Sequence, residues 1–173
     1  MKPAALLALA ALVAATPAAA QPCLTEPEAE AIALVALPDI IRQTGSVCAA
    51  RLPATSLVRR ETSPFLTRYD SEAARAWPTA RAAIVKLSVP EATLLLQSDY
   101  ARPILVNLLV PLIVGRIDVG DCGKIDRLVT LIEPLPPRNT AGLVVTALQH
   151  LKAERARGRA VDVPDLPICA ARP

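Results

Sequence analysis

The chain has 173 residues, of which 53% are hydrophobic, and its formal net charge at neutral pH is +3. Its 19 basic side chains nearly balance 16 acidic ones and only 2% of its residues are aromatic, which argues against both a basic stripe for nucleic acid and a surface for stacking bases. With six glycines and many aliphatic residues, the composition favours a helical protein that buries its core without a metal.

Residues 1–20 have the features of a signal peptide. Lys2 gives a positive start, Ala4–Ala15 form an apolar run, and Ala18–Ala20 supply the small residues that signal peptidase accepts. The run is shorter than the roughly 20 residues needed to span a bilayer, which argues against a membrane anchor. We therefore expect cleavage after Ala20, a periplasmic or secreted location, and no stable membrane insertion of the remaining chain.

Residues 21–173 are predicted to form a single all-α domain. Prolines recur about every 12 residues between Pro27 and Pro111, and proline starts a helix well but breaks or kinks its interior. The sequence therefore predicts an irregular or orthogonal bundle of about six to eight short, proline-kinked helices, stapled by disulfides. From about residue 159 we expect an extended tail that Cys169 holds on the surface.

The first helix is predicted from a capping box, Thr25-Glu26-Pro27-Glu28. In this motif the threonine hydroxyl accepts from a free N–H while the glutamate reaches back to the threonine N–H. The helix is expected to run to about Leu37. Pro38 and Asp39 then start a short second helix, which Gly45 ends.

A long helix is predicted over Pro64–Leu87, because its apolar residues keep a helical period and do not lose phase at Pro78. Its outward positions are Arg68, Glu72, Arg75, Thr79 and Lys86. The apolar stripe consists of Phe65, Tyr69, Ala73, Trp77, Ala80, Ile84 and Leu87.

Ile104–Gly115 is the most apolar stretch, and its length favours a buried helix over a strand. We expect it to be the central helix of the bundle, bent or ended at Pro111. Before it, Ser88-Val89-Pro90-Glu91 repeats the helix-start pattern and predicts a helix that begins at Val89.

Two further helices are predicted in the last third. Asp121 is expected to cap one of them, with Ile125, Leu128, Val129 and Ile132 facing inward. Asn139 is expected to cap the last helix, which Gly158 ends. Its inward residues are Val144, Ala147, Leu148 and Leu151.

The last helix ends in a basic cluster of Lys152, Arg155, Arg157 and Arg159. Positive charge near a helix C-terminus complements the helix dipole, which accounts for the cluster without a ligand. Contact with an anionic membrane or envelope polymer is the alternative.

The four cysteines, Cys23, Cys48, Cys122 and Cys169, are interpreted as disulfide partners. They lack the close spacing of redox and zinc motifs, and an exported protein meets an oxidising compartment. Four cysteines allow three connectivities. Pairing of nearest neighbours, Cys23–Cys48 and Cys122–Cys169, is the prediction.

No motif in the sequence fixes a reaction, so we predict no catalytic, cofactor-binding or metal-binding residue and no cofactor. His150 is the only histidine. A catalytic role would need an acidic partner such as Glu133 or Asp126 within hydrogen-bond reach. A solvated histidine at the edge of the apolar face is the favoured interpretation.

Weak candidates for a ligand site are Tyr100, Arg102 and His150. Tyr100 and Arg102 lie just before the most apolar stretch, where they could bind the anionic head of a ligand. A solvent-facing loop or a simple ion pair is the competing interpretation.

Three functions follow from these features. The first hypothesis is an exported, non-catalytic helical protein that contacts an unknown protein of the cell envelope or periplasm. The first alternative is a carrier of an apolar or lipid-like small ligand, since kinked helices pack imperfectly and can enclose a cavity. The second alternative is an enzyme that uses His150 with a carboxylate. Nucleic acid is not an expected partner.

Overall fold

The computed structural model describes residues 22–89 and 92–170, and this part of the chain is helical without a strand. The predicted disulfide-stapled all-α fold is therefore confirmed. The predicted signal peptide and its cleavage site lie outside the described residues. The helices are α1 (Glu26–Val47), α2 (Pro64–Leu87), α3 (Ala92–Leu96), α4 (Ala101–Val114), α5 (Cys122–Ile132) and α6 (Pro137–Ala156), with 3₁₀ turns at Leu57–Arg59 and Val119–Asp121.

The central helix is α1, which runs unbroken through Pro38 to Val47. The expected break near Leu37 is therefore wrong. Pro38 is fully buried, and burial on both sides of it offsets the hydrogen bond that proline removes. Gly45 does not end a helix either. It lies inside α1, where a Cβ atom would overlap the Val58 carbonyl of the first 3₁₀ turn.

The N-terminus of α1 has the predicted capping box of Thr25 and Glu28. The Thr25 N–H donates to Glu28 Oε2 at 2.8 Å, as expected. The Thr25 hydroxyl also donates to this carboxylate, at 2.9 Å. Lys86 Nζ lies 2.5 Å from the same oxygen. The Lys86 ammonium, followed by the Thr25 N–H, lowers the pKa of Glu28 to about 2.

α2 occupies the predicted Pro64–Leu87 and packs antiparallel on α1. We call this interface the α1–α2 seam. Arg42 joins both carboxylate oxygens of Asp70 at 2.8 and 2.7 Å at one end, and the Lys86–Glu28 pair closes the other. Of the predicted outward residues, only Glu72 is half-buried. Buried residues of the seam include Leu34, Leu37 and Ile41 of α1 and Phe65, Leu66, Tyr69, Ala73, Ala80 and Ala83 of α2.

α4 is a helix as predicted and continues through Pro111, but it is not the buried centre of the fold. Val106, Val110 and Val114 pack toward α1, whereas Leu108 is 65% exposed. The helix predicted to begin at Val89 is described only from Ala92, because Val89 is not helical and residues 90–91 lie outside the described residues.

Two predicted capping hydrogen bonds do not form. Asp121 occupies the N-cap position of α5 as predicted, but its side chain makes no capping hydrogen bond. Instead, Asp118 accepts from the Gly120 N–H at 2.6 Å in the preceding turn. α6 begins at Pro137, so Asn139 lies inside its first turn rather than before it. Gly158, at φ 83°, does follow the end of α6 as expected.

The predicted inward faces of α5 and α6 are partly wrong. Leu128 of α5 and Ala147 of α6 are exposed. The residues of α6 that are most buried against α1 are Ala141 and Val145. The apolar face of α6 is thus centred on different positions from those predicted.

The disulfides join Cys23 to Cys169 and Cys48 to Cys122, with Cα–Cα distances of 5.1 and 5.6 Å. The predicted nearest-neighbour pairing is therefore wrong. Cys23 and Cys48 flank the two ends of α1, whose 22 residues span about 33 Å. No disulfide can bridge that separation, since it needs Cα atoms within about 7 Å.

The tail returns to the start of α1 and is partly buried. Leu24 N–H donates to Pro167 O at 2.7 Å, and Cys169 N–H donates to Leu24 O at 2.9 Å. Val163 and Ile168 are buried. The tail is thus part of the core and not only a surface segment.

The basic end of α6 binds the tail and a buried acid. Arg155 donates to Val163 O at 3.0 Å, and Arg157 and Arg159 pair with the buried Glu154 at 2.8 and 2.7 Å. Much of this basic charge is therefore used inside the protein.

Candidate functional site

The candidate site is a groove along α1, to which Ile84 and Leu87 at the end of α2 also contribute. α4 lies along one rim and α6 along the other, and the gap between them is a cavity of about 200 Å³. We call it the α1 groove. All of its lining residues are apolar: Leu24, Ala29, Ile32, Ala33, Ala36, Leu37, Ile40, Ile84, Leu87, Leu105, Leu109, Ile113, Val144, Val145, Leu148, Leu166, Pro167 and Ile168.

A second cavity of about 240 Å³ adjoins the first, and the two share Leu37, Ile40 and Val144 as lining residues. α5 lies over it and contributes Ile125, Val129 and Ile132. Together the cavities follow α1 from Ala29 to Thr44, a length of about 22 Å. The α1 groove therefore continues beneath α5, and we call this second part the inner chamber.

The few polar side chains along the inner chamber already have partners. The Tyr69 hydroxyl donates to Thr140 Oγ1 at 2.9 Å, and the Thr44 hydroxyl donates to Ile40 O at 2.7 Å. Burial raises the pKa of the Tyr69 phenol above its usual value. Of the described residues that line either cavity, none carries a charge. The interior therefore suits a hydrocarbon chain, because a buried charge without a partner is very unfavourable.

The roof helix α5 is attached to α1 by the buried Cys48–Cys122 disulfide. The outward residues Leu128 and Leu131 are 58% and 65% exposed. α5 thus presents apolar side chains on both faces, one toward the chamber and one toward solvent.

Two of the predicted weak candidates lie on the helices that flank the groove. Arg102 is half-buried in the first turn of α4, and His150 is exposed on α6. Tyr100, just before α4, is 73% exposed. Among the described residues no hydrogen bond or ion pair joins any two of the three, and none of them lines the cavities.

The structure does not bring His150 to the carboxylates proposed for it. His150 lies about 20 Å along the axis of α6 from Pro137, whereas Glu133 precedes that helix. Asp126 instead accepts a short hydrogen bond from the buried Ser56 hydroxyl. Over residues 22–89 and 92–170, no bond links the imidazole to either acid.

Sequence reasoning missed the groove, although α1 carried a signal for it. Apolar residues surround this helix: Leu34 and Ile41 face α2, while Ile32, Ala36 and Ile40 face the groove. A helix that is apolar all round lies in the interior of a protein. That pattern identifies the central helix, but not which of its faces stays unfilled.

Comparison with known proteins finds no matching family model, no matching curated protein and no matching solved structure. Among the described helices, none is long and apolar enough by itself to cross a membrane. Ala101–Val114 and Val119–Ile132 satisfy the length and composition criteria only as a pair, bent by 83°. The fold and the site define the class as a disulfide-stapled helical protein with an apolar groove.

Proposed function

We propose that the protein binds a long apolar ligand, in the manner of a lipid carrier, along the α1 groove. The observation that carries this proposal is the pair of adjoining cavities with aliphatic walls, about 22 Å long from Ala29 to Thr44. That length matches an extended long-chain acyl or alkyl group. The hydroxyl groups of the inner chamber already form hydrogen bonds within the protein. The part of the ligand that is buried there should therefore be a hydrocarbon chain.

Without a ligand, the aliphatic lining of the groove faces water. A bound hydrocarbon chain would remove this apolar surface from water, which is favourable.

We further propose that the protein works outside the cytoplasm, in the periplasm or beyond. The two disulfides and the predicted signal peptide at residues 1–20 support this location, because disulfides persist in oxidising compartments. A carrier there would shield an apolar chain from water.

The direct test is native mass spectrometry of protein purified from its own host, followed by binding of hexadecanol to the delipidated protein. We expect a bound mass in the size range of a single-chain lipid. Ala36→Leu, which fills the groove, should lower hexadecanol affinity at least tenfold. Ala74→Leu, on the exposed side of α2, is the matched control and should bind normally.

Two results together would reject the carrier function: a clean apo mass from the host, and no binding of alkyl chains of any length to the purified protein. Thermal unfolding of Ala36→Leu separates a blocked groove from a misfolded protein. The proposal is supported if the variant unfolds at the same temperature as the wild type but does not bind hexadecanol.

Contact with an envelope protein is a second candidate function, favoured by the exposed leucines of α4 and α5. Leu108, Leu112, Leu128 and Leu131 are each more than half exposed, and exposed apolar patches mark interaction sites. A photo-crosslinking residue at Leu112 should yield a discrete heterologous product in the host, whereas one at Ala74 should not. Equal labelling at both positions would contradict this role.

A further inference from the structure

We propose that the ligand of the α1 groove is a single-chain carboxylate, such as a long-chain fatty acid, and that Arg102 and Lys152 bind its head group. This inference rests on the proposed apolar-ligand function. It goes further by fixing the charge of the ligand and its direction in the groove.

The two cations lie at the same end of the groove, where α1 begins. The C-terminal end of α4 is held near the far end of α1, because Ile117 packs with the Cys48–Cys122 disulfide. α4 therefore runs parallel to α1 and places Arg102 beside its start. α6 runs antiparallel, since Thr140 contacts Tyr69 toward the C-terminal end of α1 while Val145 packs with Ala29. Lys152 is two turns further along α6.

Lys152 is directly connected to the wall of the groove. Its ammonium donates to the carbonyl oxygens of Leu166 and Ile168 at 2.5 and 3.3 Å, and both of these residues line the cavity. An ammonium group has three hydrogens to donate, so one remains for a ligand. No carboxylate of the described residues pairs with Lys152.

Arg102 lies on the same face of α4 as the residues that form the other wall of the groove. It precedes Leu105 and Leu109 by three and seven residues, which places it on the helical face that α4 turns toward the groove. Its side chain is half-buried, and among the described residues no acid is paired with it. A guanidinium group binds a carboxylate through two parallel hydrogen bonds.

At the other end of the groove, Arg116 and Lys124 are already paired with Asp162 and Asp121, at 2.8 and 2.7 Å. The lining contributed by α5 at that end is Ile125, Val129 and Ile132, below a roof held by a disulfide. Lys86, the remaining lysine near the start of α1, is already neutralised by Glu28 at 2.5 Å. We therefore place the ligand's carboxylate beside the C-terminal tail of the protein, and the methyl end of the ligand beneath α5.

The test uses three ligands that share one alkyl chain: hexadecanoate, hexadecanol and hexadecylamine. For the wild type we expect the order hexadecanoate, hexadecanol, hexadecylamine, from tightest to weakest. Lys152→Met and Arg102→Met should each lower hexadecanoate affinity about tenfold, the range of one charge-assisted hydrogen bond, and leave hexadecanol affinity unchanged. Lys124→Met and Arg127→Met, at the α5 end, are the matched controls.

Equal affinity for acid and alcohol, unchanged by either substitution, would overturn this inference and leave the carrier function standing. Failure of all three ligands to bind would instead remove the carrier function itself. Normal hexadecanol binding by Lys152→Met shows that the tail, which Lys152 also holds, remains folded.

Discussion

The two sides of α1 differ in how closely their neighbours pack against them. On the α1–α2 seam, Ala73, Ala80 and Ala83 are fully buried and let the helices approach closely, and the rings of Phe65 and Tyr69 lie 4.8 Å apart. On the groove side, larger aliphatic residues of α4 and α6 stop short of filling the space. Close packing on one face therefore allows the opposite face to remain open.

Removing the Cys48–Cys122 disulfide should have the largest effect on this contrast. With a sequence separation of 74, the chain-entropy relation gives about 4.5 kcal/mol of stabilisation. The Cys48→Ala/Cys122→Ala variant should lose about this much free energy of unfolding in urea. Hexadecanol affinity should fall too, because α5 then no longer roofs the inner chamber. A loss below about 1 kcal/mol would mean that packing alone holds α5.

Adding the same side chain on each side of α1 should give opposite results. Ala80→Leu enlarges a fully buried position in the seam and should cost about 1–3 kcal/mol of stability. Ala36→Leu extends into the groove and should change the unfolding free energy of the ligand-free protein by less than about 1 kcal/mol. Urea unfolding of both delipidated variants measures this difference. Equal destabilisation would contradict the contrast between seam and groove.

The smallest expected effect concerns pH and the Lys86–Glu28 pair at the end of the seam. The pKa of Glu28 is about 2 in the folded protein against an ordinary value of 4.5, so its contribution is complete above pH 4.5 and is lost as pH falls toward 2. Glu28→Gln should remove the part of the pH dependence of the unfolding free energy that Glu28 contributes. This part amounts to no more than about 1 kcal/mol, because water screens the pair. Urea unfolding between pH 2 and 6 provides the measurement. An unchanged slope in the variant would show that Glu28 is not the titrating group.

Much of the helical architecture was predictable, because local patterns determine it. The apolar period of α2 survives Pro78, and both of its ends were identified correctly. The same reasoning failed at Pro38, where proline was interpreted as a break. Tertiary burial of α1 overrides the local effect of that residue.

The error at Pro38 led to the wrong disulfides. Two short helices would have allowed Cys23 and Cys48 to meet, whereas one continuous α1 keeps them apart. The correct pairing depends on the length of a helix and not on the spacing of cysteines in the sequence.

The groove itself could not be predicted, since it is a gap between α4 and α6 that depends on how three helices pack. Arg102 was singled out because it precedes an apolar stretch, and it lies in the first turn of α4, one of the helices that flank the groove. The proposed partnership with Lys152 was not predictable, because 50 residues separate the two in the sequence.

The outer disulfide encloses the inner one, since Cys23–Cys169 spans nearly the whole described chain and Cys48–Cys122 lies within it. A protease that cleaves any single peptide bond between residues 24 and 168 therefore releases no fragment, because both pieces stay covalently joined. Such a nicked molecule separates only after reduction.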